Sequence, residues 1–556
     1  MEENDVHPED NKHTKNTENT KFPVMNPSTI QKFVDKLPIP KVLKPKSQGN
    51  EYDYYEIEMK RAKHKFHKDF KETEIYGYNG IYPGPTIETM KGHAVTVKWI
   101  NNLPLKHFLP VDKTLHGAID NPEVRTVVHL HGANVAPDSD GHPDAWFSRN
   151  FEYTGPKYSR QVYEYPNQQQ ATTLWYHDHA LGATRLNIYA GLAGFYLIHD
   201  FHEQSLDLPT GKYDIPLMIQ DKTFRTDGSL FYPENTTPPS SVNPSVVRAF
   251  IGNTMVVNGK VWPYLEVEPR KYRFRMLNAS NTNGFTFKLS NGQSFWQIST
   301  DGGMIDESRS TEKFPLDPAE RLDVIIDFSG LEGQTITLKT EELDLQGNPE
   351  TFKEDVMQFR VELPLKGEDK SVIPEELRHF EKLHEDMAIK TRRFVMTQDT
   401  DMQGRNMLTL NHKMFGDPAT ETPEYDSIEI WELANPVFNP NSPLGIPPNI
   451  SHPIHLHLVQ FQILDRREFN VNNFNADLWI EKGEGIEYKP LDPITKGLDP
   501  SERGWKDTVR VEPGKVTRII AHFKNFTGEY VWHCHILEHE DHDMMRPLRI
   551  IKKYCD

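Results

Sequence analysis

The chain has 556 residues, too many for one compact core and enough for roughly three domains. Its balance of 36% hydrophobic and 26% charged residues fits a globular protein, and a formal charge of −18 argues against a nucleic-acid partner, which calls for a basic face. No apolar run reaches the roughly 18 residues that a membrane-crossing helix needs, so no membrane span is expected.

Residues 1–26 read as a disordered N-terminal arm. The first 21 are almost all polar and lack the apolar core of a secretory leader, so Sec export is not expected. Residues 27–200 read as a first β domain. It contains a turn-rich stretch from Tyr76 to Thr86 and a strand in which Val95, Val97 and Trp99 alternate with Thr96 and Lys98. Further strands are expected over Arg125–His131 and Thr172–His177. A second β domain is expected over 205–365, where Tyr272, Phe274 and Met276 alternate with Arg273 and Arg275 as in a half-buried strand. Leu322, Val324, Ile326 and Phe328 repeat that pattern. The charged stretch 366–390 reads as a linker with one helix. A third β domain over 391–556 has strand signals at Ile454–Leu464, Val516–Phe523 and Tyr530–Cys534. Repeated strands with long connections, 41 prolines and 33 glycines imply an all-β chain of stacked sandwiches, although no exact short repeat is visible.

The chain has 25 histidines, yet none lies between His202 and His379. Histidine chemistry therefore belongs to the first and third domains, and the middle one reads as a spacer or wall. Four His-x-His pairs stand out: His129/His131, His177/His179, His455/His457 and His533/His535. Random placement would give roughly one such pair. A single pair is ordinarily two satisfied histidines, but four following strand-like runs are hard to explain that way. On a strand, residues i and i+2 face the same side, so each pair offers two imidazoles from a stiff element. Imidazole suits copper, and copper(II) tops the affinity order for nitrogen sites.

The segment His533-Cys534-His535-Ile536-Leu537-Glu538-His539-Glu540-Asp541-His542-Asp543-Met544 adds a thiolate, further imidazoles and a thioether, the ligand set of a blue-copper site. Cys534 and His539 supply two strong ligands, His452 a second imidazole if Pro453 redirects the chain, and Met544 a weak axial ligand. Cys534 faces one side of its strand while His533 and His535 face the other, so one strand can serve two metal sites joined by a peptide. Zinc also takes Cys and His, but it has no redox chemistry to use such a link. With only Cys534 and Cys555 present, a disulfide framework is excluded.

With these motifs the chain resembles the multicopper oxidases, and within them the endospore-coat laccases, relatives of which also oxidise bilirubin. The likeness covers nearly the whole chain after the arm. It includes Gln31 to Pro40, Tyr76 to Thr86, Val257 to Pro263 and Glu538 to Pro547. The resemblance implies three cupredoxin-like Greek-key domains and four coppers. The type 1 copper would use His452, Cys534, His539 and Met544. The type 2 copper would use His129 and His455. The type 3 pair would use His131, His177, His179, His457, His533 and His535. It implies electron entry at His539, transfer through Cys534, and proton relay by Glu540 and Asp140. It implies O₂ and small aromatic reductants (phenols, aromatic amines, bilirubin) as partners, and a monomer associated with spore-coat proteins. The expected location is the spore coat, otherwise the cytoplasm. Two departures stand out. His542 takes a position where close relatives carry an aromatic residue, and is read as a solvated histidine rather than a spare ligand. A cysteine pair near the substrate entrance of some relatives is missing. The rival readings are a metallo-oxidase for Cu(I), Fe(II) or Mn(II), whose Cu(I) form would call for a methionine-rich site that the 16 scattered methionines do not make, and a non-catalytic copper-binding coat protein. A copper nitrite reductase would not need eight paired histidines.

Overall fold

A computed structural model describes residues 22–341, 355–436 and 450–552. Cys555 and most of the expected arm lie outside the described residues. The end of the arm does not behave as an arm: Val24 bridges Arg225, and the Met25 amide donates to the Phe224 carbonyl at 2.8 Å. The strand edge at 224–225 offers unpaired backbone groups, and this piece of chain satisfies them.

The described strands form six sheets. Two lie within the first third of the chain, a five-stranded sheet around Tyr52–His64 and a four-stranded sheet around Thr172–Asp178. Two lie in the middle third, and two more in the last third. Each third contains a corresponding parallel pair. Tyr52–His64 runs alongside Ala94–Asn102, Asp214–Phe224 alongside Lys271–Asn278, and Lys390–Thr400 alongside Ser427–Asn435. Parallel neighbours cannot be joined by a hairpin, so each third must cross over, as Greek-key sandwiches do. The architecture is all-β. No described helix is long and apolar enough to cross a membrane.

Several sequence expectations need correction. The strand Lys271–Asn278 is buried on both faces beyond its first residue. Arg273 and Arg275 can turn inward because carboxylates meet them. Arg273 reaches Glu203 at 2.6 Å and Asp323 at 2.5 Å, and Arg275 reaches Asp214 at 2.7 Å. Polar alternation here marks a junction between thirds of the chain and not a solvated face. Over 366–390 the only helical piece is one 3-10 turn, Glu385–Met387. The expected strand Ile454–Leu464 is two strands, His452–Leu456 and Phe461–Glu468, broken where Leu458 adopts φ 69°.

Candidate metal centre

Two four-stranded sheets build the centre. In the first third, Val128–His131 is the sheet's edge strand, paired antiparallel with Thr172–Asp178 so that His129 lies opposite His177. In the last third, His452–Leu456 lies between Thr508–Val511 and Gly528–Cys534, with Ile454 opposite Cys534 and His455 opposite His533. Strand alternation then sorts the side chains. Residues 452 and 455 are three apart, so they face opposite sides. Pro453 need not redirect the chain; it sits inside the strand, opposite Arg510.

On one side of the Cys534 strand, His452 Nδ1 lies 3.5 Å and His539 Nδ1 3.7 Å from Cys534 Sγ. The chain returns to this point through a closed loop. The Met544 amide donates to the His539 carbonyl at 2.9 Å, and the Cys534 amide to the Met544 carbonyl at 3.0 Å. Asp543, at φ 70°, takes the left-handed conformation the return requires, which Asp tolerates better than most residues. Met544 and Cys534 are fully buried in one apolar cluster. Burial pushes His452 down to about 3 and raises the Cys534 thiol, so both are neutral in the absence of a cation.

On the other side, eight buried histidines converge, four from each outer third. His129 stacks on His457 with ring centroids 3.8 Å apart, and His131 on His455 at 3.6 Å. Donor atoms gather in three groups that need no carboxylate: His131, His177 and His535; His179, His457 and His533; and His129, His455 and His457. His457 belongs to two of them. His129 Nε2 and His455 Nε2 are 3.4 Å apart, His179 Nε2 and His457 Nε2 3.2 Å, and His457 Nε2 and His533 Nε2 3.3 Å.

These nitrogens fit a metal. Two imidazole nitrogens each about 2.0–2.1 Å from one ion at a tetrahedral angle are about 3.3–3.4 Å apart. The opposite ring nitrogens are already engaged. His129 Nδ1 donates to the Asp140 carbonyl at 2.6 Å, His455 Nδ1 to the Asp507 carbonyl at 2.8 Å, and His177 Nδ1 to the Asp178 carbonyl at 2.8 Å. His457 Nδ1 donates to Asp140 Oδ2 at 2.7 Å. Glu540 places one oxygen 3.1 Å from His179 Nδ1 and the other 3.2 Å from His533 Nδ1. Such partners fix the tautomer that leaves Nε2 free for a metal. His177 Nε2 and both ring nitrogens of His535 have no protein partner although they are buried, the condition an ion would relieve. Burial holds His129, His177, His455, His457 and His535 well below the ordinary imidazole range, as ligands require.

The two sequence-predicted carboxylates are both fully buried and shift in opposite directions. Burial raises Asp140 well above the ordinary range. Burial opposes ionisation of Glu540 too, but His533 and His179 outweigh it and hold that group well below.

Other residues here were missed by sequence reasoning. Asp507 receives the fully buried Arg321 through two contacts, at 2.7 Å and 2.6 Å, and lies 3.1 Å from His131. The acids of the 538–543 segment also have separate tasks. Glu538 accepts from Tyr232, Asn281 and Thr282. Asp541 pairs with Arg185 at 2.9 Å. Asp543 accepts from the Phe415 amide and contacts His116. On a helical turn successive side chains diverge by about 100°, so neighbours in sequence anchor to different parts of the molecule. The available signal was their density among histidines. His542 is neither solvated nor placed among the ligands: it is 8% exposed and bonds Asp401 at 3.0 Å.

A fold of stacked β-sandwiches with a thiolate site beside an eight-histidine cavity defines a class, and the comparisons name it. Multicopper oxidase family models match residues 59–203 and 388–553. The laccase of Bacillus subtilis (strain 168) is 50% identical over 529 residues, covering 94% of this chain and 99% of that protein. The laccase of Haloferax volcanii is 39% identical over 552 residues, covering 95% and 86%. Among solved structures, a laccase from Pediococcus acidilactici superposes with TM-score 0.71 at 27% identity, covering 94% of this chain and 95% of that one. The McoA multicopper oxidase of Aquifex aeolicus gives 0.70 at 26%, covering 93% and 99%. The chain belongs to the multicopper oxidase family, whose members share cupredoxin-like domains and carry four coppers. Within that family it is a laccase-type oxidase that uses O₂ and reducing substrates.

Proposed function

We propose that His452, Cys534, His539 and Met544 hold the type 1 copper and that His129 and His455 hold the type 2 copper. The type 3 pair is then held by His131, His177 and His535 on one side and by His179, His457 and His533 on the other. Bound there, copper supplies one-electron oxidation of phenols and aromatic amines at the first site and reduction of O₂ to water at the second. The observation that carries this reading is the strand ending at Cys534. Its thiol lies 3.5 Å from His452 on one face, while its peptide neighbours His533 and His535 belong to two different histidine groups on the other. Two peptide links thus run from the thiol to both halves of the cavity.

The protein's part is to position, insulate and deliver protons. His539 lines a cleft at the surface and is the group a reductant can approach. Glu540 bridges the Nδ1 atoms of His179 and His533, and Asp140 accepts from His457 Nδ1. A proton passed along these carboxylates reaches the cavity without opening it to solvent. On the resemblance to endospore-coat laccases we assign the chain to the spore coat as a monomer among coat proteins, with bilirubin among its substrates. The domain limits follow the same reading, at 27–200, 205–365 and 391–556.

The test is the absorption spectrum of copper-loaded, air-oxidised protein. The expected result is a strong blue thiolate-to-copper band with a near-ultraviolet shoulder from a bridged pair. Bound copper without the blue band would remove Cys534 from the type 1 site.

A further inference from the structure

A shallow cleft open to solvent lies beside His539. Met407, Leu408 and Ile450 make it apolar, as an aromatic ring requires, and Arg248 shares its lining with His539. Arg248 is half-buried at that cleft. Among the described residues no carboxylate pairs with it. The nearby acids are committed elsewhere. Glu538 also lines the cleft, but both of its oxygens accept from Tyr232, Asn281 and Thr282. Asp401 is taken by His542 at 3.0 Å and by Arg405 at 2.7 Å. A guanidinium left without a counter-ion beside an apolar floor is a site for an anion, and its fork matches a carboxylate or sulfonate. The chain as a whole carries a net charge of −18, so an anion needs a local cation such as this one to be held.

We propose that Arg248 makes this oxidase selective for aromatic reductants that carry an anionic group, the ring lying against Met407 and Leu408 near His539 and the carboxylate or sulfonate on the guanidinium. The inference rests on the cleft's being the electron-entry site.

The test compares syringol with syringate, the same dimethoxyphenol without and with a ring carboxylate, in the copper-loaded enzyme. In Arg248→Gln the ratio of kcat/KM for syringate over syringol should fall about tenfold, and further in Arg248→Glu, while Arg248→Lys restores part of it. In the native enzyme that ratio should fall as salt is added, because the contact is partly exposed. A ratio that stays within about twofold across the three variants would overturn the inference. A copper-loaded enzyme that oxidises neither phenol would instead remove the electron-entry reading. Benzoate and its neutral isostere benzamide, followed by saturation-transfer NMR on the same proteins, then decide the anion site without turnover. Benzoate binding lost in Arg248→Gln, with benzamide binding much less affected, supports it, and equal effects on both overturn it.

Discussion

Two buried regions of this protein treat polar groups in opposite ways. At the junction around the middle third, buried charges are met by opposite charges. Arg273 and Arg275 lie on Glu203, Asp214 and Asp323; Lys506 lies on Asp301 and Glu320; Arg466 and Arg510 lie on Glu502. In the histidine cavity, ring nitrogens crowd within 3.2–3.4 Å of one another and several have no partner at all. Folding does not leave buried polar groups orphaned without a reason. The satisfied region holds the thirds of the chain together, and the unsatisfied one presents the donors a metal ion would use.

The largest test of that contrast is Cys534→Ser. A hydroxyl is a poor ligand for this copper, so the blue band should vanish and turnover fall to background. The near-ultraviolet shoulder should persist, because the histidine groups on the opposite face are untouched. Loss of both signals together would mean that the two faces of the strand are not separable. Glu540→Gln is expected to be milder. It keeps the shape between His179 and His533 but removes the proton acceptor, so reoxidation by O₂ in stopped-flow should slow about a hundredfold while the blue band remains. Full turnover would remove Glu540 from the relay.

The junction should respond first in stability. Arg321→Met strands Asp507 as a buried, unpaired carboxylate, which should cost about 3–5 kcal/mol in denaturant unfolding. The loss should be present in copper-free protein, and Asp507→Leu in the same chain should recover part of it. Copper itself stabilises whatever state holds it, so chelation should lower Tm in the native chain without a mutation. An Arg321 variant as stable as the native chain when copper-free would show that the satisfied charges are not what joins the thirds.

The junction also predicts an acid response. Burial would raise Glu203, but Arg273, His199 and Arg275 together hold it well below its ordinary value. A carboxylate depressed in the folded state contributes stability that is fully present above its unfolded pKa of about 4.3 and lost as pH falls towards the folded value. Glu203→Gln should therefore be markedly less stable than the native chain at pH 7. The two unfolding curves should converge as the pH is taken below about 4. A difference that stays constant with pH would assign the effect to packing.

Much of the metal centre was legible in sequence because its rules are local. His-x-His on a strand fixes two rings to one face, and the single intervening Cys534 fixes the thiol to the other. What the chain could not show was long-range. Arg273 and Arg275 alternate with apolar residues as solvated residues do, and only the fold brings Glu203, Asp214 and Asp323 to them. Asp507 carries no motif until Arg321 arrives from 186 positions away. The repeated parallel strand pair in each third left no trace in sequence, since backbone pairing tolerates any side chain that fits the face.

The smallest expected effect is at His542, the position that departs from the family pattern. Its ring donates to Asp401 Oδ2, and the pair would look like an element of the site if counted by proximity to His539. Asp401 does not depend on it: the carboxylate also accepts from Arg405 Nε at 2.7 Å and from the Gln403 and Arg405 amides at 2.9 and 2.8 Å. Replacing the ring with Phe removes one contact from an acid that keeps three, so the cost should stay within about 1 kcal/mol. Copper content should not change, because neither ring nitrogen of His542 lies in a donor group with Cys534. A His542→Phe chain that loads less copper at the blue site would transfer this histidine from the satisfied region to the unsatisfied one, and the line between them would have to be redrawn through the 538–543 segment.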